Sequence, residues 1–470
     1  MRKSKMQQKN EANQQLKLFS WKAGELTATP TGGTGTDRLS RVELLSVLER
    51  QRALTENLLE RIVDYGNLVR AYNQVAGNDG SSGIDLMDTE ELGQWLGKNI
   101  NQLREMILTE QYEVSAVRKV EIPKPDGGIR LLGIPTVKDR LVQQAIHQEL
   151  ICYYEPTFSE SSYGFRPGRN AHQAIEQASK FIREGKEWVV DIDLEKFFDK
   201  INHDRLMQRL SKGIGDKRLL RLIRAYLKAG MMDDGLVEQR IAGTPQGGPL
   251  SPLLSNIVLD ELDKEMEERG HSFCRYADDC NIYVKSRKAG ERVMTSITDF
   301  IEKKLKLKVN RDKSGVRHCS DVKFLGYTIM PEGNIRVADK SIARLKGKIR
   351  EITRRNRGVS FNLVIKELNQ VIIGWANYYR LANVWLSTFK GLDGWIRRKL
   401  RCYRLKQCGR RYTIFKLLRS LNIPESKAWN AIMYSQGWWQ LSKKTAIGQA
   451  MNLTWFSQQG LQSLYLRMTV

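Results

Sequence analysis

Tyr276-Ala277-Asp278-Asp279 sets two carboxylates side by side. Phe273-Cys274-Arg275 comes before them and Cys280-Asn281-Ile282-Tyr283-Val284 after, a pattern of strand, tight turn and strand with the acids at the turn. Neighbouring carboxylates repel each other unless positive charge stands between them, and a divalent cation is the usual solution. Alone, an Asp-Asp pair is more often a solvated turn tip, so the surroundings decide. Upstream, Trp188-Val189-Val190-Asp191-Ile192-Asp193 starts as an apolar strand whose two acids alternate with apolar residues and can share a face. Thr244-Pro245-Gln246-Gly247-Gly248-Pro249 is a shaped backbone loop open to close approach by a ligand. Lys124 and Arg130 flank a Pro-Asp-Gly-Gly turn; such a pair of cations can clamp a triphosphate or be solvated decoration.

These groups need strands and helices to hold them. Val117 to Ile122 and Ile129 to Ile134 read as a β-hairpin around that turn. Helical periodicity covers roughly Thr89 to Leu108, Asp139 to Tyr153, Asp204 to Leu210, Asp216 to Ala229, Leu250 to Arg269 and Gly290 to Leu305. Leu307 to Ser314 and Val322 to Ile329 read as two further strands. From Ser341 onward the pattern is almost wholly helical, with basic residues on the polar faces.

The chain has 470 residues, 41% of them apolar, enough for several domains and a large core. No stretch reaches the length of uncharged apolar sequence that a membrane helix needs. The six cysteines form no C-x-x-C pair, which argues against a zinc site or a disulfide framework. No hydrophobic segment follows the basic start, so the expected compartment is the cytosol. Net charge is +24, and it is unevenly spread. Residues 331–470 carry 26 Lys and Arg against 6 Asp and Glu, a net of +20, leaving +4 for the first 330. The same 140 residues hold seven of the ten tryptophans. Cations interleaved with aromatics suit a surface that grips a polyanion and stacks on bases.

Asp193 followed by Phe198, then Thr244-Pro245-Gln246-Gly247, then Tyr276-Ala277-Asp278-Asp279 stand in the order of reverse transcriptase motifs. The finer wording resembles the bacterial group II intron-encoded reverse transcriptases, or maturases. The matching stretches are Asn78-x-Gly80-x-x-Gly83-x-Asp85, Ile122-Pro123-Lys124, Leu132-Gly133-Ile134-Pro135-Thr136, Tyr163-Gly164-Phe165-Arg166-Pro167-Gly168, Phe324-Leu325-Gly326-Tyr327 and Gly374-Trp375-Ala376-Asn377-Tyr378-Tyr379-Arg380. The resemblance runs from about Leu58 to Leu405.

It implies an RNA-directed DNA polymerase that joins a 3′-hydroxyl to an α-phosphate. Two Mg²⁺ ions roughly 3.5–4 Å apart serve such a reaction, with Mn²⁺ as a substitute. Asp193, Asp278 and Asp279 are their implied ligands and the catalytic acids. Asp191 reads as a neighbouring structural acid. For the incoming dNTP, the resemblance points to Lys124 and Arg130 on the triphosphate, Phe198 as a gate at the sugar 2′-position and Gln246 at the nascent pair. Lys313 is in the region to protonate pyrophosphate, a surface lysine being the alternative. Arg166, Arg169, Trp375, Tyr378, Tyr379, Arg380, Arg397 and Arg398 are the candidate RNA and DNA contacts.

The implied architecture is α+β, a right-hand polymerase fold of fingers and palm on an antiparallel sheet, then an α-helical thumb and a small helical C-terminal domain. Its divisions are a loose leader at 1–36, a helical extension at 37–110, fingers and palm at 111–331, the maturase or thumb domain at 332–405 and a DNA-binding domain at 406–470. Implied partners are a group II intron RNA, template RNA, primer DNA, target DNA and dNTPs, with no membrane; a dimer is compatible with the sequence. No histidine follows His318, so the expected type lacks a C-terminal HNH endonuclease. The alternatives are a domesticated relative in phage defence or DNA repair and a splicing-only maturase. Intact acids argue against the latter. An RNA-directed RNA polymerase is disfavoured by Phe198.

Overall fold

A computed structural model of the chain describes residues 57–123, 128–233, 236–238, 243–244, 247–433 and 437–469. In chain order its main elements begin with α1 (Leu58–Ile62), α2 (Tyr65–Gly77), α3 (Thr89–Leu108), β1 (Val117–Pro123), β2 (Ile129–Ile134), α4 (Val137–Tyr154) and α5 (Ala171–Arg183). There follow β3 (Trp188–Ile192), α6 (Phe197–Lys200), α7 (His203–Gly213), α8 (Lys217–Lys228), β4 (Met231–Asp233), β5 (Leu236–Glu238), α9 (Ser251–Glu268), β6 (Ser272–Tyr276), β7 (Asp279–Val284) and α10 (Arg287–Phe300). Next are β8 (Gly315–His318), β9 (Tyr327–Ile329) and β10 (Ile335–Val337). The helices α11 (Asp339–Ile352), α12 (Phe361–Tyr378), α13 (Ser387–Cys408), α14 (Arg411–Ser420), α15 (Glu425–Met433), α16 (Trp438–Leu441), α17 (Thr445–Ala450), α18 (Leu453–Gln458) and α19 (Leu464–Thr469) complete the chain. No helix among the described residues is long and apolar enough to cross a membrane.

Two compact units divide these elements. Of the described residues, the first holds those up to Ala174 with those of Asp191–Ile282 and Glu291–Gly315; the second holds those of Ile175–Val190, Tyr283–Gly290 and from Val316 onward. A further sheet has the strand order β6-β7-β3-β8.

In the first unit, local sequence rules explain most helix boundaries. Asp88 and Glu91 form a reciprocal capping box that starts α3 where the periodicity puts it. Its buried Leu92, Leu96, Leu103 and Ile107 make one apolar stripe. Thr136 caps α4, accepting the Asp139 N–H at 3.1 Å and donating its hydroxyl to the Asp139 carboxylate at 2.7 Å. Helix α4 is buried around much of its circumference, by Val137, Leu141, Val142, Ala145, Ile146 and Leu150. The hairpin forms as its sequence predicts, with Ile122 opposite Arg130 and Pro123 opposite Ile129. One pairing had no sequence signal. β1 runs parallel to β4, Val117 opposite Met231, giving a sheet of order β2-β1-β4-β5.

Two expected strands are corrected. Leu307 to Ser314 holds only an isolated bridge between Val309 and Leu194, then a turn, and the strand begins at Gly315. The second is confined to Tyr327–Ile329. Leu325 (φ 48°) and Gly326 (φ 88°) take left-handed backbone conformations, so the chain reverses there and Phe324 pairs with Tyr327. Backbone in that conformation is not extended, so the strand starts only after the reversal.

The second unit is mainly helical. Along α12, Phe361, Val364, Ile365, Leu368, Ile372 and Ala376 are buried at helical spacing. On α13, Asp393 is buried and reaches the start of α19. Its carboxylate accepts the Leu464 N–H at 2.9 Å, the Tyr465 N–H at 3.1 Å and the Ser463 hydroxyl at 2.6 Å. Without it the buried Leu464 N–H and the two half-buried donors beside it lose their partner. Asp393→Ala should therefore destabilise the second unit by about 1–3 kcal/mol. Hydrogen exchange across 464–469 should speed up accordingly, and Asp393→Asn should recover part of the loss. Unchanged protection of those amides in Asp393→Ala would refute the role.

Candidate active site

β6 ends at Tyr276 and β7 begins at Asp279, so the turn between them is Ala277-Asp278. Ala277 takes φ 58°, a left-handed conformation that only a tightly supported non-glycine residue adopts. Asp278 is half-buried on a cavity wall, whereas Asp279 is exposed as the first residue of β7.

Behind the turn lies Arg275, fully buried. Its Nε and Nη2 donate to the two oxygens of Asp263 on α9, at 2.7 and 2.5 Å. Nη1 donates to Asn256 Oδ1 at 3.0 Å and to the Ala277 carbonyl at 2.9 Å, and Nη2 also donates to Ser162 Oγ at 2.7 Å. All five guanidinium N–H groups thus find an acceptor. Burial works to lower the Arg275 pKa, but the charge and hydrogen bonds of Asp263 prevail and raise it.

Asp193 follows the end of β3, and its backbone is clamped on both sides by the segment 308–314. Asn310 N–H donates to the Asp193 carbonyl at 2.8 Å, and the Asp193 N–H donates to Ser314 Oγ at 2.9 Å. The neighbouring Glu195 N–H donates to the Lys308 carbonyl at 2.8 Å. Ser314 and Asn310 had no motif to mark them; a polar residue beside Lys313 was the one available hint.

A cavity of about 930 Å³ within the first unit brings the predicted residues together. Asp193, Asp278, Phe198 and Lys313 all line it, beside Gly247, Gly248 and Pro249. Phe197 is buried and braces the half-exposed Phe198, their ring centroids 5.3 Å apart. The Phe198 carbonyl accepts the Thr244 N–H at 2.7 Å, tying this helix to the Thr244 loop. A Cβ on Gly247 would meet the Gly133 carbonyl at 2.7 Å, and one on Gly248 would collide with the Gln143 amide. Those glycines let the loop press against β2 and α4. Lys124 and Gln246 lie outside the described residues, and Arg130 is placed by its backbone alone, opposite Ile122.

Among the described residues, no three His, Cys, Asp or Glu side chains are gathered so as to hold a metal by themselves. Asp193 and Asp278, both lining the cavity, are oxygen donors of the kind a hard divalent cation takes.

The candidate nucleic-acid contacts divide into spent and available groups. Arg166 is a correction. Its side chain is buried against Glu155, at 2.8 Å, and also donates to the Ser159 and Ser162 carbonyls, so it shapes its loop from inside. Arg169 is half-buried and ion-paired with Glu160. Trp375 and Tyr379 are likewise taken up by packing. Their rings lie 4.4 Å apart, with Phe389 against Trp375 and Tyr327 against Tyr379. Tyr378 is partly exposed and donates to the Leu325 carbonyl at 2.8 Å; Arg380 is exposed. Arg397 is half-buried, and after burial it is the second cause lowering the pKa of Arg401. Arg398 lies 3.6 Å over the Trp439 ring. It lines a notch of about 680 Å³ with Arg401, Lys443 and Lys444 and no carboxylate.

Residues 122–329 match the family described as reverse transcriptase (RNA-dependent DNA polymerase), and residues 342–418 match the group II intron, maturase-specific domain. Protein YkfC of Escherichia coli is 34% identical over 53% of this chain and 75% of its own length. The group II intron-encoded protein LtrA of Lactococcus lactis subsp. cremoris is 29% identical over 60% of this chain and 57% of its own length. This chain therefore spans less than two thirds of the second relative. The mixed α/β first unit, with its acids on a strand end and a hairpin turn, has the elements of a right-hand polymerase. The chain belongs to the group II intron-encoded reverse transcriptases.

Proposed function

We propose that the chain copies RNA into DNA and acts as maturase for a group II intron RNA, helping it splice and then reverse-transcribing it during retrohoming. The observation that carries this reading is the convergence of Asp193, Asp278, Phe198 and Lys313 on one cavity. Members of the family are generally metal-dependent. Asp193 and Asp278, with Asp279 beside them, would hold two Mg²⁺ ions, or Mn²⁺ in their place. When bound, such ions acidify the primer 3′-hydroxyl and neutralise the departing pyrophosphate.

The chain's own residues do the rest. Phe198, braced by Phe197, closes the space at the sugar 2′-position. Lys124 and Arg130 hold the triphosphate, and Gln246 meets the nascent pair. Lys313, on the cavity wall, delivers a proton to pyrophosphate. The notch lined by Arg398, with exposed Arg380, offers cationic surface to RNA or target DNA. In this reading 37–110 extends the fingers, 111–331 forms fingers and palm, 332–405 the thumb and 406–470 a DNA-binding domain. The partners are the intron RNA, template RNA, primer DNA, target DNA and dNTPs, in a bacterial cytosol or nucleoid.

Sequencing the RNA that co-purifies with the protein tests the partner. A group II ribozyme with its domain V hairpin should dominate, and it should template primer extension. Asp278→Asn and Asp193→Asn should each reduce extension by about 10³-fold or more, as loss of several kcal/mol of charge stabilisation requires. RNA binding should stay within about threefold, since neither residue is part of the cationic surface. Near-wild-type extension by either variant would sink the assignment. Phe198→Ala should raise ribonucleotide incorporation relative to deoxyribonucleotide by about 10-fold or more. An unchanged ratio would remove Phe198 from its role.

A further inference from the structure

Ala277 is the hinge of the acidic turn, and two independent features hold it. From inside, Arg275 Nη1 donates to the Ala277 carbonyl at 2.9 Å. From the side, the backbone of Gly164 lies so close that a Cβ there would collide with the Ala277 nitrogen and stand 2.9 Å from the Tyr276 carbonyl carbon. The two are linked. Asn256 donates to the Gly164 carbonyl at 2.9 Å while its Oδ1 accepts from the same Arg275 Nη1 at 3.0 Å. The Arg275 backbone joins in, its N–H donating to the Ser161 carbonyl and its carbonyl accepting the Tyr163 N–H, both at 2.9 Å. One buried guanidinium therefore fixes both the turn and the wall against which it packs.

We propose that Arg275 is the positioning residue of the catalytic turn, setting where Asp278 points through its bond to the Ala277 carbonyl. Anchored by Asp263, the guanidinium cannot shift without breaking a buried ion pair. Its planar fork reaches five acceptors in fixed directions, which a lysine ammonium with three donors cannot match. The left-handed Ala277 conformation is held by this bond and by the Gly164 contact. Released from the bond, the turn relaxes and the Asp278 carboxylate leaves its place on the cavity wall. A displacement near 1 Å is enough to cost about 10²-fold in rate.

The proposal rests on Asp278 being the reacting site's carboxylate. The test compares Arg275→Lys, which keeps the charge beside Asp263, with Asn256→Ala, which keeps Arg275 and its ion pair but removes the group orienting Nη1. Mn²⁺ binding is read by electron paramagnetic resonance without nucleotide, and turnover is normalised to active sites by a burst measurement. Arg275→Lys should bind Mn²⁺ at least about fivefold more weakly and lose about 10- to 100-fold in kcat, with the dNTP KM within about twofold. Asn256→Ala should show the same signature at about 3- to 10-fold, which keeps the proposal testable should Arg275→Lys fail to fold. A drop in melting temperature with Mn²⁺ binding and kcat per active site unchanged would show a purely structural arginine and overturn it. Failure of the underlying assignment is distinct, because Asp278→Asn would then extend primers normally.

Discussion

The Arg275–Asp263 ion pair is the interaction on which the first unit's chemistry depends. Both side chains are removed from water, with 1% and 0% of their surfaces exposed. Taking two charges out of water costs several kcal/mol each, and attraction repays that only when the geometry is good and every remaining donor is satisfied. Here Asp263 takes two N–H groups, and Asn256, Ser162 and Ala277 take the other three. A cheaper apolar pair could fill the same volume. It could not draw a helix, a loop and the acidic turn to one point, since dispersion has no direction and guanidinium hydrogen bonds do.

Asp193 is held by a different device. Its N–H and carbonyl are both bonded by the segment 308–314, so a stretch without regular secondary structure defines the end of β3. Glycines perform the matching task across the cavity. Gly247 and Gly248 admit backbone where a side chain would collide with β2 and α4. The acids are thus carried by backbone that is bonded from several elements, the support that chemistry sensitive to small displacements requires.

The second unit divides its residues between cohesion and surface. Aromatic rings that suggest base stacking are in part structural: Trp375, Tyr379, Tyr327 and Phe389 pack on one another. The cations behave otherwise. Arg398 rests on Trp439 and shares its notch with Arg401, Lys443 and Lys444, and no acid is among the described residues that line it. Cations crowded without counter-charge repel one another, and burial with Arg397 nearby lowers the Arg401 pKa. In the proposed reading a phosphate backbone relieves that repulsion.

Several features were legible in the sequence alone. The helix over 89–108, the antiparallel pairing of β1 with β2, the acidic turn and the helical character after Ser341 follow from periodicity, capping residues and turn chemistry, which act over a few residues. The order of the motifs also identified the family, and the charge excess pointed to a polyanionic partner. Tertiary structure alone decided what depends on distant partners. The pairing of β1 with β4, the buried fate of Arg166 and the bonding of Asp193 by Ser314 are set by residues far apart in the chain. The same holds for Arg275, a cation in an apolar strand whose sequence neighbours say nothing of Asp263, Asn256 or Ser162. A residue's type states which bonds it can make; only the packed fold determines which acceptors come within 3 Å of it.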